Sequence, residues 1–259
     1  EEVPHEPAAV RRAHEKAERK LKEAETRARE ASERIKKDFP GWNVSYEAAA
    51  ESPAWAIIFK AGEWQADLIV VGSHGKSGLA GRLILGSVSQ RVLYEAHCSV
   101  RIGRAGSTDQ SAPLRMLAGI DGSAHSRAVV DEIANRNWPQ GTQVRLLAVV
   151  DTVMALSGND EQTVKWLEVG DENNWDQVRE VFEPEAQRLR AVGLDAAVMI
   201  RRGHPTQQLL DEAETWAAHS VFVGAKGIRG IERLLLGSVS AAVAARAHCS
   251  VEVVRPRAN

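Results

Sequence analysis

Gly224, Gly227, Gly237 and Ser238 have the spacing of a phosphate cradle, G-x2-G-x9-G-S. A glycine-rich turn between an apolar strand and a helix gathers backbone amides around an anion. Gly224 closes such an apolar run. Gly227 is expected to take a positive φ and to keep a side chain out of the phosphate space. Gly237 and Ser238 fall in an apolar, then Ala-rich, stretch that reads as the interior of a helix over 234–247. There the backbone and the Ser hydroxyl would reach terminal phosphates. The second candidate is Asp121, which ends the run LRMLAGID and is followed by Gly-Ser. An acid at the carboxyl edge of a parallel strand suits a ribose hydroxyl or an adenine amino group. Spacing alone allows equally that Asp121 caps a helix.

The elements that must position these residues occur twice. VVGSHGKSGLAGRLILGSVSQRVLYEAHCSV begins at Val70, and FVGAKGIRGIERLLLGSVSAAVAARAHCSV begins at Phe222. Pro53, Trp64, Gly72 and Gly75 recur as Pro205, Trp216, Gly224 and Gly227; Gly86, Ser87, Val88 and Ser89 recur as Gly237, Ser238, Val239 and Ser240. So long a period marks a duplicated domain, not a solenoid. The copies differ by one residue inside the loop, and the first has no counterpart of LAGIDGS.

Sequence periodicity predicts a helix over 8–38 with a narrow, mostly Ala stripe, a better match to packing on a sheet than to a coiled coil. Next come a strand over 42–49, a helix from Pro53 to about 65, a strand over 67–72, a helix over 83–96 and a strand over 98–102. Residues 104–113 read as a linker. The second half reads βαβαβαβαβ: strands over 114–121, 143–151, 195–200, 220–224 and 251–254, with helices between them. Ser126 is the expected N-cap of the first of these helices. That alternation implies a parallel sheet covered on both faces. The domains are therefore 1–104 (incomplete), 105–113 (linker) and 114–259 (complete). A β-α-β segment of roughly 40–60 residues is expected ahead of the first copy.

Composition excludes several classes. The chain of 259 residues carries a net charge of −2, with 44 % hydrophobic and 26 % charged residues. Such a chain presents no field for nucleic acid or anionic membrane. No apolar run is long enough to span a bilayer, and no signal peptide is visible, so the expected location is cytoplasmic. Cys98 and Cys249 occupy equivalent positions, each after a His, and read as small buried thiols rather than metal ligands or a disulfide. Gly75-Lys76-Ser77 imitates the end of a phosphate-binding P-loop, but the glycine that motif requires is Val70 here. No nucleophile, base or metal cluster stands out, so catalytic and metal residues are assigned to none.

IDGS at Ile120 to Ser123, RGHP at Arg202 to Pro205 and GAKGIRGIERLLLGSVS at Gly224 to Ser240 resemble the universal stress protein family, in its ATP-binding branch. The resemblance covers nearly the whole chain as a tandem pair. It implies flavodoxin-like or Rossmann-like α/β domains with strand order 3-2-1-4-5. It also implies that Gly119, Ile120 and Asp121 flank adenine and ribose, that Val149 contacts adenine, and that Val223 and Gly224 approach ribose and α-phosphate. Gly227, Gly237, Ser238, Val239 and Ser240 would line the phosphates. In the first copy Val71, Gly72, Gly75, Gly86, Ser87, Val88 and Ser89 would form a weaker phosphate side without an adenine wall.

The function expected is that of an ATP-binding stress-response or signalling protein, with Mg²⁺ held through the phosphates and little or no hydrolysis. The alternatives are a slow ATPase or adenylate-transferring enzyme on the same fold, and a nucleotide-free interaction module. The last strand of such a domain is an open edge. The copies are therefore expected to pair through their last strands, with Val100 and Ile102 against Val251 and Val253, as an internal counterpart of a homodimer. A homodimer of whole chains is also open.

Overall fold

The computed structural model describes residues 8–73, 85–104, 112–150, 175–227 and 236–256. It divides into two compact units, Glu1–Ile57 and Ile58–Asn259.

The first unit holds α1 (Ala8–Asp38). Its Ala, Glu, Lys and Arg content favours helix throughout. Leu21, Ala24, Ala28 and Ala31 form a less exposed line along it. Residues 43–49 carry no strand, contrary to the sequence expectation. A strand exists only by exchanging ladder hydrogen bonds with a neighbouring strand, and residues 43–49 join no ladder. Pro53 then opens α2 (Pro53–Glu63), which crosses into the second unit.

The second unit is built on one seven-stranded sheet. Its strands are β1 (Leu68–Gly72), β2 (Ser99–Gly103), β3 (Arg115–Ile120), β4 (Gln143–Val150), β5 (Asp195–Arg202), β6 (Ser220–Gly224) and β7 (Ser250–Val254), in the order β1-β2-β7-β6-β3-β4-β5. The five strands of the second repeat alone give the expected 3-2-1-4-5 arrangement, all parallel. The first repeat adds β1 and β2, parallel to each other. The two sets meet where β2 runs antiparallel to β7, pairing Val100 with Val253 and Ile102 with Val251.

Among the described residues the unit also holds helices α3 (Ser87–Glu95), α4 (Ala124–Ala134), α5 (Trp175–Ala191), α6 (Pro205–Thr215) and α7 (Ser238–Arg246). Alternate residues of each central strand point to opposite faces of the sheet. Met116, Ala118, Ile120, Leu146, Ala148 and Phe222 pack with Val129, Ile133, Phe182 and Leu189 of α4 and α5. On the other face Leu117, Leu147, Val221 and Val223 are buried as well. This double burial explains the near-continuous apolar strands.

Two helix starts differ from expectation. α3 begins at Ser87 and α7 at Ser238, each after an extended glycine N-cap, Gly86 or Gly237. The apolar run ahead of Gly237 hid this boundary, because hydrophobicity alone does not mark a helix start. Gly237 is extended because its N–H goes to Ala225 O at 2.7 Å, tying the helix entry to the end of β6. Gly86 does the same to Ser73 O at 2.9 Å.

Candidate functional site

The carboxyl ends of β3 and β6 lie side by side, and the chain leaves them in opposite directions across the sheet. Open α/β sheets bind ligands in the crevice that such a divergence creates.

β3 delivers Asp121 to this edge. Gly122 follows at φ +80°, a conformation that suits only glycine at low cost. The turn it makes brings Ser123 N to Asp121 Oδ1 at 3.0 Å. Ser123, not Ser126, is the N-cap of α4: its hydroxyl accepts from Ser126 N at 3.1 Å. Ser126 sits within the first turn and donates its hydroxyl to Ser123 O at 3.1 Å. Asp121 thus braces the turn through one oxygen, while its other oxygen faces the glycine loop.

β6 delivers that loop. A Cβ added to Gly224 would lie 2.8 Å from His125 Cβ and 2.9 Å from the His125 carbonyl carbon. The end of β6 therefore packs on the α4 backbone more closely than any side chain permits. At Gly227 an added Cβ would lie 2.7 Å from Asp121 Oδ2. Gly227 has no positive φ, contrary to expectation. Its glycine character answers the approach of a carboxylate instead. Gly237 closes the far side: an added Cβ would stand 3.2 Å from Ala225 O. Ser240 Oγ donates to Gly224 O, so the first turn of α7 is anchored to the same strand end. The glycine cap leaves the α7 entry without a side-chain acceptor. Ser238 is exposed there and Val239 half-buried.

The fold thus gathers Asp121, Gly224, Gly227, Gly237 and Ser240. Gly119 and Val223 lie below them as packing: an added Cβ at Gly119 would meet Leu209 at 3.2 Å and Val223 at 3.4 Å. Ile120 is buried at the last position of β3. Val149 is half-buried near the end of β4, one residue beyond the β3 ladder.

Two residues went unassigned in the sequence. Lys226 is 9 % exposed between Ala225 and Gly227. His125, in the first turn of α4, has its pKa held below the ordinary imidazole value, first by burial and then by Lys226, with Asp121 opposing. Only folding brings Asp121, His125 and Lys226 together, and no spacing rule signals it.

In the first repeat Val71 and Gly72 end β1, and Gly86, Ser87, Val88 and Ser89 form the α3 entry. Ser89 Oγ donates to Ser73 O at 3.2 Å and to Gly86 O at 3.0 Å. Gly75 lies outside the described residues. Both thiols are free; Cys249 is buried as expected but Cys98 only half-buried, and burial pushes both above the ordinary thiol range. Among the described residues no group of His, Cys, Asp and Glu would hold a metal ion, and no helix is long and apolar enough to cross a membrane.

Fold and site define a class: a doubly wound α/β chain with a glycine-lined crevice at its strand divergence, duplicated and joined through terminal strands. Comparison with known proteins gives the family. The model of the universal stress protein family matches residues 1–104 and again 114–255. A universal stress protein of Mycolicibacterium smegmatis is 32 % identical over 230 residues, covering 84 % of this chain and 70 % of that protein. One from Mycobacterium tuberculosis is 32 % identical over 202 residues, covering 73 % of this chain and 61 % of that protein. The crystal structure of a universal stress protein from Archaeoglobus fulgidus superposes with a TM-score of 0.59 at 22 % identity, over 98 % of this chain and 80 % of its own. The chain belongs to the universal stress protein family.

Proposed function

We propose that the second repeat binds ATP, and that the chain works as a nucleotide-dependent stress-response or signalling protein rather than as a catalyst. The observation that carries this reading is the approach of Gly227 to Asp121. An added Cβ would lie 2.7 Å from the carboxylate oxygen, so the loop is held where only backbone fits. That juxtaposition supports the reading: a carboxylate beside a side-chain-free loop at the strand divergence suits a ribose followed by phosphates. Asp121 would take the ribose hydroxyls. The amides at the α7 entry after Gly237 and the Ser238 hydroxyl would face phosphate oxygens, aided by the positive end of the helix dipole. Lys226, which already acts electrostatically on His125, would add to the attraction for an anion. Mg²⁺ would be held by the phosphates.

Nucleotide released from the purified, denatured protein and identified by mass spectrometry tests this directly, together with calorimetric titration of nucleotide-free protein. The expected result is ATP at about one per chain, as one complete strand divergence implies. Gly227→Val should abolish binding without unfolding the chain. Equal affinity in wild type and Gly227→Val would reject the site. Phosphate release keeping pace with binding would favour the slow ATPase.

A further inference from the structure

The segments CSVRI (98–102) and CSVEV (249–253) are equivalent by repeat and differ at their last two positions. The structure pairs them antiparallel about their own centre, with Arg101 directly opposite Glu252. Two residues equivalent in sequence therefore face each other across a local two-fold axis. The contacts around them obey that axis. Arg104 N donates to Ser250 Oγ at 3.1 Å, and its counterpart Arg255 N to Ser99 Oγ at 3.0 Å. The Arg104 guanidinium reaches Ala244 O at 2.6 Å and Cys249 O at 3.3 Å; that of Arg255 reaches Leu93 O at 2.7 Å and Cys98 O at 3.2 Å. Each repeat thus places an arginine on the last carbonyls of the other's final helix, a reciprocity typical of an isologous interface.

The centre of the seam breaks the symmetry. Glu252 is fully buried and accepts from Arg101 at 3.1 Å and from Arg136 at 2.6 and 2.9 Å. Arg136 also holds Glu132 at 2.6 Å. Arg101 and Arg136 therefore balance Glu252 and Glu132. Pairing β7 with a second β7 would gather two copies each of Glu252, Glu132 and Arg136, four carboxylates against two guanidiniums. Pairing β2 with a second β2 would set one Arg101 against another. Like charges opposite one another destabilise a sheet, and buried ones that lack a partner do so strongly.

We infer that Arg101 and Glu252 form a pairing code on the shared strand edge. The edge of β7 accepts a strand that carries a cation opposite residue 252 and rejects a copy of itself, so the chain's own first repeat is the partner it selects. Attraction to the right strand and repulsion from the wrong one act together, as selective interfaces require. The inference stands on the strand register and is independent of nucleotide binding.

The test uses two full-length variants, Arg101→Glu and Glu252→Arg, one labelled with ¹⁵N. Each alone carries like charges across β2 and β7 and should melt about 10 °C below wild type, the order expected for a broken buried pair in a chain of this size. Mixed, they offer opposite charges between chains at every pairing of these edges, β2 to β2, β7 to β7 and β2 to β7. Native mass spectrometry should then detect a species containing one of each, absent from either variant alone. Should a charge variant fail to accumulate as folded protein, R101Q/E252Q decides. Its neutral amides bond a copy as readily as a partner, so it should gain a species of twice the wild-type mass. Charge variants that melt like wild type would overturn the inference. So would a mixture that forms no mixed species, or R101Q/E252Q that keeps the wild-type mass.

Discussion

β1 and β6 are one strand written twice, LIVVG and SVFVG, yet Val70 is 61 % exposed and its counterpart Phe222 is fully buried. β6 lies between β3 and β7, whereas β1 bonds only to β2 among the described residues. The same contrast recurs at the ends of the preceding helices. Trp64 is 74 % exposed, while Trp216 has the Arg145 guanidinium 4.2 Å above its ring, supplied by β4. It recurs in the loops as well: both repeats tie a glycine cap to a strand end, but only the second has an acid delivered by β3. Equivalent sequences acquire different energetics, and different chemistry, from their neighbours.

Truncating the equivalent residues should separate the two strands most widely. Phe222→Ala should cost about 3–5 kcal/mol, the range for a fully buried aromatic. Val70→Ala should stay within about 0.5 kcal/mol, as for an exposed position. Denaturant melts of the full chain measure both, and equal losses would mean that β1 is as enclosed as β6.

Ligand stabilisation comes next. At a hundredfold excess over Kd, ATP should stabilise the protein by about 2.7 kcal/mol. Asp121→Ala should remove that shift, whereas Ser87→Ala in the first repeat should leave it in place. A shift that survives Asp121→Ala and disappears with Ser87→Ala would move the site to the other repeat.

A smaller effect separates the helix entries. Ser123 caps α4 through its side chain, so Ser123→Ala should cost about 1 kcal/mol. Ser87 follows a glycine cap that makes no side-chain bond, so Ser87→Ala should cost well under about 0.5 kcal/mol. Urea midpoints should rank the variants in that order.

The smallest effect is acid sensitivity. Burial, and then Lys226, keep the pKa of His125 below its ordinary value. Between the folded and ordinary values the unfolded chain therefore binds more protons than the native one. Stability from this group is intact above the ordinary histidine pKa, near 6.5, and declines as pH falls through the window below it. His125→Gln should flatten the loss of melting temperature from pH 7 to pH 5. An unchanged slope would mean that His125 titrates alike in both states.

Much of this architecture was legible in the chain. The double glycine loop, the β-α alternation and the apolar strands of the second repeat follow from local periodicity and turn chemistry. The last strands as the meeting edge follow from the strand order that the family resemblance implies, which leaves the final strand open, together with their short, apolar and nearly identical sequences. What local pattern could not determine is set by residues far apart in sequence. Residues 43–49 have strand composition but no ladder partner. Gly227 is glycine because the Asp121 carboxylate arrives from another strand, not because its own φ demands it. Gly237 caps a helix because its N–H is taken by the end of β6. Arg101 and Glu252 are unremarkable until β2 and β7 bring them together on an axis. In each case sequence set the chemistry of one partner, and the tertiary structure alone decided what it would meet, because burial, register and charge pairing are properties of two surfaces at once.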